Sequence, residues 1–220
     1  MADSVHVLTP ALLKAACYDR EVSCRRAASA AFQESVGRLG AQHFPNGIEI
    51  LTSADYFALG SRRHAFTTVA PMIATLPQYL VPLAEHLLTN KLENWDVSVR
   101  ELAAEGLAAL VHLQPRFFAD VALPMVVHAA VEAPSREARH GGLLAAAALP
   151  PALVLAGFEL PREVVESVVS VVHAVQAKQL VRGKGGELMR VGVCKLIAAL
   201  ARMQVPLDSS QVRDAVGALI

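Results

Sequence analysis

The chain has 220 residues, 20 of them basic and 20 acidic, and no formal net charge. That balance argues against a phosphate-dominated nucleic-acid binder, which needs a basic surplus. Hydrophobic residues make up 54% but aromatics only 5%, so alanine and leucine carry the apolar fraction, as tightly packed helices require.

The first residues, Met1 to His6, are polar and contain no secretory apolar run. A short helix is predicted over 9–17, opened by Thr9-Pro10, with Asp19-Arg20-Glu21 turning the chain. Its partner covers 24–39, with Ala27, Ala28, Ala31, Phe32 and Val36 inward and Gly40 as its stop. Phe44-Pro45-Asn46-Gly47 is a turn signal, and residues 43–53 make a short or irregular helix. Thr52 to Asp55 offer caps for a helix through Tyr56, Phe57, Leu59, Phe66, Val69 and Ile73, kinked at Gly60.

Pro77 precedes a helix over 79–92 with Leu80, Leu83, Leu87 and Leu88 inward. Asp96 can cap the next, because its side-chain oxygen accepts a free N–H of the first turn. Small or apolar residues then recur at 99, 103, 106, 107 and 110, one stripe of a 3.6-residue period. Arg100 sits beside that stripe. Pro115 opens a helix over 116–132, with Phe117, Val121, Met125, Val126 and Ala129 facing in, and 137–149 pairs with it. Gly141 to Phe158 is 18 residues without a charge, the lower limit for a membrane span. Pro150-Pro151 and the alanine content favour a soluble helix broken at Leu149 and then an apolar loop, so no membrane span is expected. Pro161 sits in the first turn of a helix over 162–179, whose length and Pro-Arg-Glu start outweigh the strand preference of its valines. Residues 183–186 form a loop, 187–203 a further helix, and 206–220 another whose partner is absent.

An arginine followed by small or apolar residues recurs at Arg25, Arg62, Arg100, Arg139 and Arg190, with spacings of 37, 38, 39 and 51 residues. Pro10, Pro45, Pro82 and Pro124 precede the first four by 15, 17, 18 and 15 residues, where a proline bends or starts a helix. A period just under 40 residues with two helices per unit marks HEAT or armadillo repeats. The fold class is therefore all-α, an α-α superhelix of about five repeats over 9–40, 43–75, 79–113, 116–157 and 161–203. No long Gly/Ser linker divides 1–220, which is expected to be one domain.

No catalytic or metal constellation stands out. Gly183-Lys184-Gly185-Gly186 lacks the phosphate-loop pattern and follows no strand. The histidines form no metal-ligand pair, and His140 and His173 are expected as cap or interface residues. Cys17, Cys24 and Cys194 have no metal spacing and are expected as reduced, small buried hydrophobes. No cofactor and no enzyme activity are expected. Asp96 with Arg25, Arg100, Arg139 and Arg190 is expected to form a ladder of charge-assisted bonds along the stack, the other reading being a grip on an acidic partner. Arg62, with its neighbours Arg63 and His64, is a solvated face or a binding patch. Trp95 wedges between repeats or stands out as an interface anchor. Arg182 and Lys184 complete the candidate partner-binding set.

Five stretches carry a specific likeness. They are Cys24 to Glu34, then Gly47-Ile48-Glu49-Ile50-Leu51-Thr52-Ser53-Ala54-Asp55-Tyr56-Phe57-Ala58-Leu59-Gly60, Trp95 to Ala104, the Arg139-His140-Gly141 corner, and Gln179 to Arg190. Together and in this order they resemble tubulin-folding cofactor D, the tubulin-specific chaperone D family, over most of the chain. Residues 148–161 depart from it. The resemblance implies a fragment of a longer central-to-C-terminal solenoid that binds β-tubulin. It implies assembly of αβ-tubulin with cofactors C and E and a small Arl2-like GTPase, stimulation of tubulin GTP hydrolysis by the cofactor complex, and a cytoplasmic place with microtubules or centrosomes nearby. The catalytic arginine of that stimulation belongs to cofactor C, so no arginine here inherits it. The other class that the repeat allows is a generic solenoid adaptor.

Overall fold

Helix is the only regular structure among the described residues, 2–40 and 42–205, of the computed structural model. The all-α class follows, and the valine-rich stretch at 164–175 is helical as its length requires. The expected helix at 206–220 lies outside the described residues. The helices gather into two compact units, Met1–His86 and Leu87–Ile220.

In the first unit, α1 (Ala2–Tyr18) packs on α2 (Val22–Leu39). Pro10 lies inside α1 and not at its start. Thr9 and Leu13 beside it are buried, so packing holds the helix across the missing N–H. On α2 the buried stripe is narrow, Arg25, Ala28, Phe32 and Val36. Ala27 and Ala31, expected inward, are exposed. The short α3 (Gly47–Ser53) follows the turn at Pro45, opened by Asn46 in the left-handed region.

The helix expected to run from Tyr56 through Ile73 is cut. Asp55 Oδ1 accepts the N–H of Phe57 at 2.6 Å and of Ala58 at 2.8 Å, and Ser61 Oγ accepts the N–H of His64 at 3.3 Å. Two side-chain caps in close succession restart the chain twice. Tyr56 and Phe57 therefore stay outside, and α4 begins only at residue 62. It consists of a turn Arg62–His64, a wide π-turn Ala65–Val69 and a segment Ala70–Ala74. α5 (Pro77–His86) closes the unit. Tyr18 and Phe66 meet edge to face at 4.9 Å in its core, and Cys17 is buried there, its thiol pushed up to about 12 by burial. Cys24 and Cys194, expected buried, are exposed.

The second unit starts with the π-turn Leu87–Lys91. α6 (Val97–Leu110) follows, then α7 over residues 115–132, then α8 (Arg136–Leu155), α9 (Arg162–Ala177) and α10 (Gly186–Arg202). α7 contains a π-turn, Phe118–Ala122, just before Pro124, as α4 does just before Pro71. A wide turn lets a helix pass a residue that donates no N–H and whose ring crowds the carbonyl four residues back. The buried side of α7 is Phe118, Ala119, Ala122, Leu123, Val126 and Ala130, while Val121 and Met125, expected inward, are exposed. Adjacent apolar pairs such as Val121-Ala122 and Met125-Val126 leave the phase open in the sequence.

α8 is the spine of this unit, packed on α6, α7 and α10. It does not break at Leu149 but continues through Pro150 and Pro151 to Leu155, because Leu149, Pro150 and Leu153 are buried among its neighbours. It is long and apolar enough to cross a membrane, but 67% of its most apolar window is buried, as in a core helix. Gly141 and Gly142 set its close approach. A Cβ on Gly141 would overlap the Leu92 carbonyl, and one on Gly142 the backbone of Ala130.

Candidate functional site

Four of the five recurring arginines share one geometry; Arg62, which opens its helix, stands outside it. Arg25, Arg100 and Arg139 are each the fourth residue of their helix. Each reaches back to carbonyls of the turn just passed. Arg25 Nη1 donates to the carbonyls of Asp19 and Arg20, both at 3.0 Å. Arg100 Nη1 donates to those of Asn94 at 2.5 Å and Trp95 at 3.1 Å, and Arg139 Nε donates to that of Ala133 at 2.7 Å. Arg190 does the same for Val181 at 2.9 Å across a longer loop. A turn between packed helices presents carbonyls that no helical N–H satisfies, and a fork of donors on the next helix meets them.

Two of the arginines also reach onward. Arg25 Nε and Nη2 donate to the carbonyls of Leu59 at 3.0 Å and Gly60 at 3.1 Å. Arg100 Nε donates to His140 Nδ1 at 3.1 Å, joining α6 to α8. Burial lowers the pKa of both guanidinium groups. Burial, then the charges of Arg100 and Lys195, bring His140 down to about 4, so the ring is neutral and accepts at Nδ1. Where the sequence suggests an aspartate-to-arginine ladder, the bonds described for these arginines run to main-chain carbonyls and to His140. Asp96 caps α6 through Ser98, at 2.9 Å to its N–H. The carboxylates of Glu137 and Asp96 act on Arg100 as well, raising its pKa against the effect of burial.

Where α8 presents Ala147 and Ala148, a groove of about 650 Å³ opens over it between α6 and α10. Its floor is Ala104, Leu144, Ala147, Ala148 and Ala199. Glu101 and Glu105 line the α6 side, and Arg190, Lys195 and Arg202 the α10 side, with Glu187 and Cys194 beside them. Lys195 Nζ donates to Glu101 Oε1 at 2.7 Å, linking the two walls. Both side chains are nearly half exposed, so the link contributes under about 1 kcal/mol and yields to a ligand at little cost. Among the described residues no group of three or more His, Cys, Asp or Glu side chains is placed to hold a metal. Chemically the groove can hold an apolar strip and orient it by charge.

The four partner-binding candidates of the sequence lie elsewhere, while Arg190 lines the groove. Arg62 starts α4 in the first unit and is half-buried. In the second unit, Trp95 stands 68% exposed at the turn before α6, and Arg182 and Lys184 are exposed in the loop before α10. None of the four lines the groove. The groove charges were visible only as spacing: Glu101 with Glu105 at i, i+4 and Lys195 with Arg202 at i, i+7, each pair on one helix face. Nothing in the sequence shows that the alanines between them are left uncovered.

The comparisons agree with this architecture. A family model described as tubulin-specific chaperone D-like, ARM repeats, matches residues 1–48. Over 206 residues the chain is 32% identical to tubulin-specific chaperone D of Dictyostelium discoideum, covering 90% of this chain. The chain belongs to the tubulin-specific chaperone D family. A second member, tubulin-folding cofactor D of Schizosaccharomyces pombe, is 30% identical over 105 residues, 48% of this chain. The chain spans only 14% and 9% of the lengths of these two family members. No solved structure matches it. Within the chaperone D family, the match to armadillo repeats falls on α1 and α2 and the first arginine clip, Arg25.

Proposed function

We propose that this chain is a tubulin-holding segment of an assembly chaperone, with the groove over α8 as its docking strip. The observation that carries the proposal is the groove itself: open, floored by alanines and Leu144, and edged by glutamates on α6 and by three cations and Glu187 on α10. Two relatives, named for chaperoning or folding tubulin, supply the client. A helical stack of this kind holds a large subunit face without chemistry.

In this account the client is β-tubulin, held while the αβ heterodimer forms. Cofactors C and E and a small Arl2-like GTPase act in the same complex, which stimulates GTP hydrolysis by tubulin. The chain contributes a wall and no catalytic residue to that step, and works in the cytoplasm, with microtubules and centrosomes as its associated sites.

Capture on immobilised 220-residue chain tests this reading. Purified αβ-tubulin is retained, and retention drops when Ala148→Arg fills the groove. Failure to retain tubulin, with retention of unrelated transport or phosphatase cargo, would favour an adaptor and overturn the proposal.

A further inference from the structure

The loop between α3 and α4 displays two aromatic rings and spends many bonds on doing so. Phe57 is 85% exposed, Tyr56 59% and the nearby Ile48 74%. Asp55 Oδ1 accepts the Phe57 and Ala58 N–H groups. The Arg26 guanidinium lies 3.6 Å from the Tyr56 ring centroid, and its Nε donates to the Tyr56 carbonyl at 3.0 Å. Tyr56 and Phe57 meet edge to face at 5.5 Å. Just beyond, Arg25 holds the carbonyls of Leu59 and Gly60. A loop pinned this way presents its rings with little ordering cost left for binding, and exposed aromatic and arginine side chains are the residue types that anchor interfaces.

We infer that this loop is a second protein-docking surface. It fits a folded partner with an apolar hollow for Phe57 and carboxylates around that hollow. Beside the Phe57 knob, Arg26, Ile48, Leu51 and Tyr56 line a hollow of about 360 Å³ that receives an apolar side chain in return. In the loop and its flanking helices, Arg26, Arg62 and Arg63 stand against Glu49 and Asp55, whose carboxylate already caps the loop. A knob beside a hollow is shape-specific, which a bilayer does not need. A second copy of the chain would set basic rim against basic rim. On the proposed function, on which this inference rests, the partner surface belongs to the tubulin client.

The test is equilibrium binding of purified αβ-tubulin to the full 220-residue chain and to Phe57→Ser, Arg63→Glu and Leu155→Ser. Leu155 is exposed in the second unit and serves as the control. Phe57→Ser weakens binding roughly 30-fold, the size of a hot-spot truncation. Arg63→Glu weakens it several-fold and lowers its salt dependence. Leu155→Ser leaves it unchanged, and all three melt as the parent chain does. Undiminished binding by Phe57→Ser overturns this inference while leaving the tubulin reading intact; no binding by the parent chain overturns both. Phe57-dependent pelleting with phosphatidylserine vesicles, or a Phe57-dependent dimer in sedimentation, with tubulin affinity unchanged, overturns it in favour of a membrane or a second copy.

Discussion

Arg100 and His140 bind each other inside the second unit, guanidinium Nε to imidazole Nδ1 at 3.1 Å, with 1% of each residue exposed. The contact ties a helix to its counterpart in the following pair, and the same guanidinium clips the turn carbonyls of Asn94 and Trp95.

Removing that guanidinium leaves the buried acceptors unmatched. Arg100→Met destabilises the fold by about 3 kcal/mol, within the range for breaking a buried charged network. Arg100→Lys restores little, because one ammonium cannot reproduce the planar fork. Urea denaturation followed by circular dichroism checks both, and a loss below about 1 kcal/mol for Arg100→Met would show that the clip is incidental.

His140 makes stability depend on pH. Its pKa falls from 6.5 to about 4 on folding, chiefly through burial. Between these values the unfolded chain binds a proton that the folded chain does not. The contribution is therefore fully present above pH 6.5 and is lost as pH falls towards 4. His140→Gln, which keeps an acceptor for Arg100, flattens that segment of the stability profile. Denaturation midpoints across this window, for both proteins, measure the difference.

Glycines separate close approach from simple permissiveness. Gly141→Ala places a methyl group on the Leu92 carbonyl and costs roughly 3 kcal/mol or more, since backbone must move. Gly37 lies within α2 with nothing within 4 Å of an added Cβ, so Gly37→Ala stabilises by up to about 1 kcal/mol. Thermal melts of the two variants should shift in opposite directions.

The arginine period was legible in the sequence because one side chain must recur wherever one geometry recurs. Its acceptors were not, since main-chain carbonyls carry no sequence mark; Asp96, the visible anion, also caps its own helix. The break before Arg62 was hidden by two short caps that read as one helix start. The run through Pro150 and Pro151 was hidden because packing on three helices overrides local propensity. The groove was least legible: Ala147 and Ala148 look like core, and only the placement of α6 and α10 on either side of α8 shows them forming an open floor.

The measurement that bears most directly on the central claim is the affinity of αβ-tubulin for the parent chain and for Ala148→Arg, taken with their unfolding curves. Ala148 is half-buried at the groove, so the long cation projects along it and the fold tolerates the change. The parent chain binds, and the variant loses at least roughly 10-fold in affinity with unchanged unfolding. Equal affinity for both proteins would contradict the groove as the docking strip, and absence of binding by the parent chain would contradict the function itself.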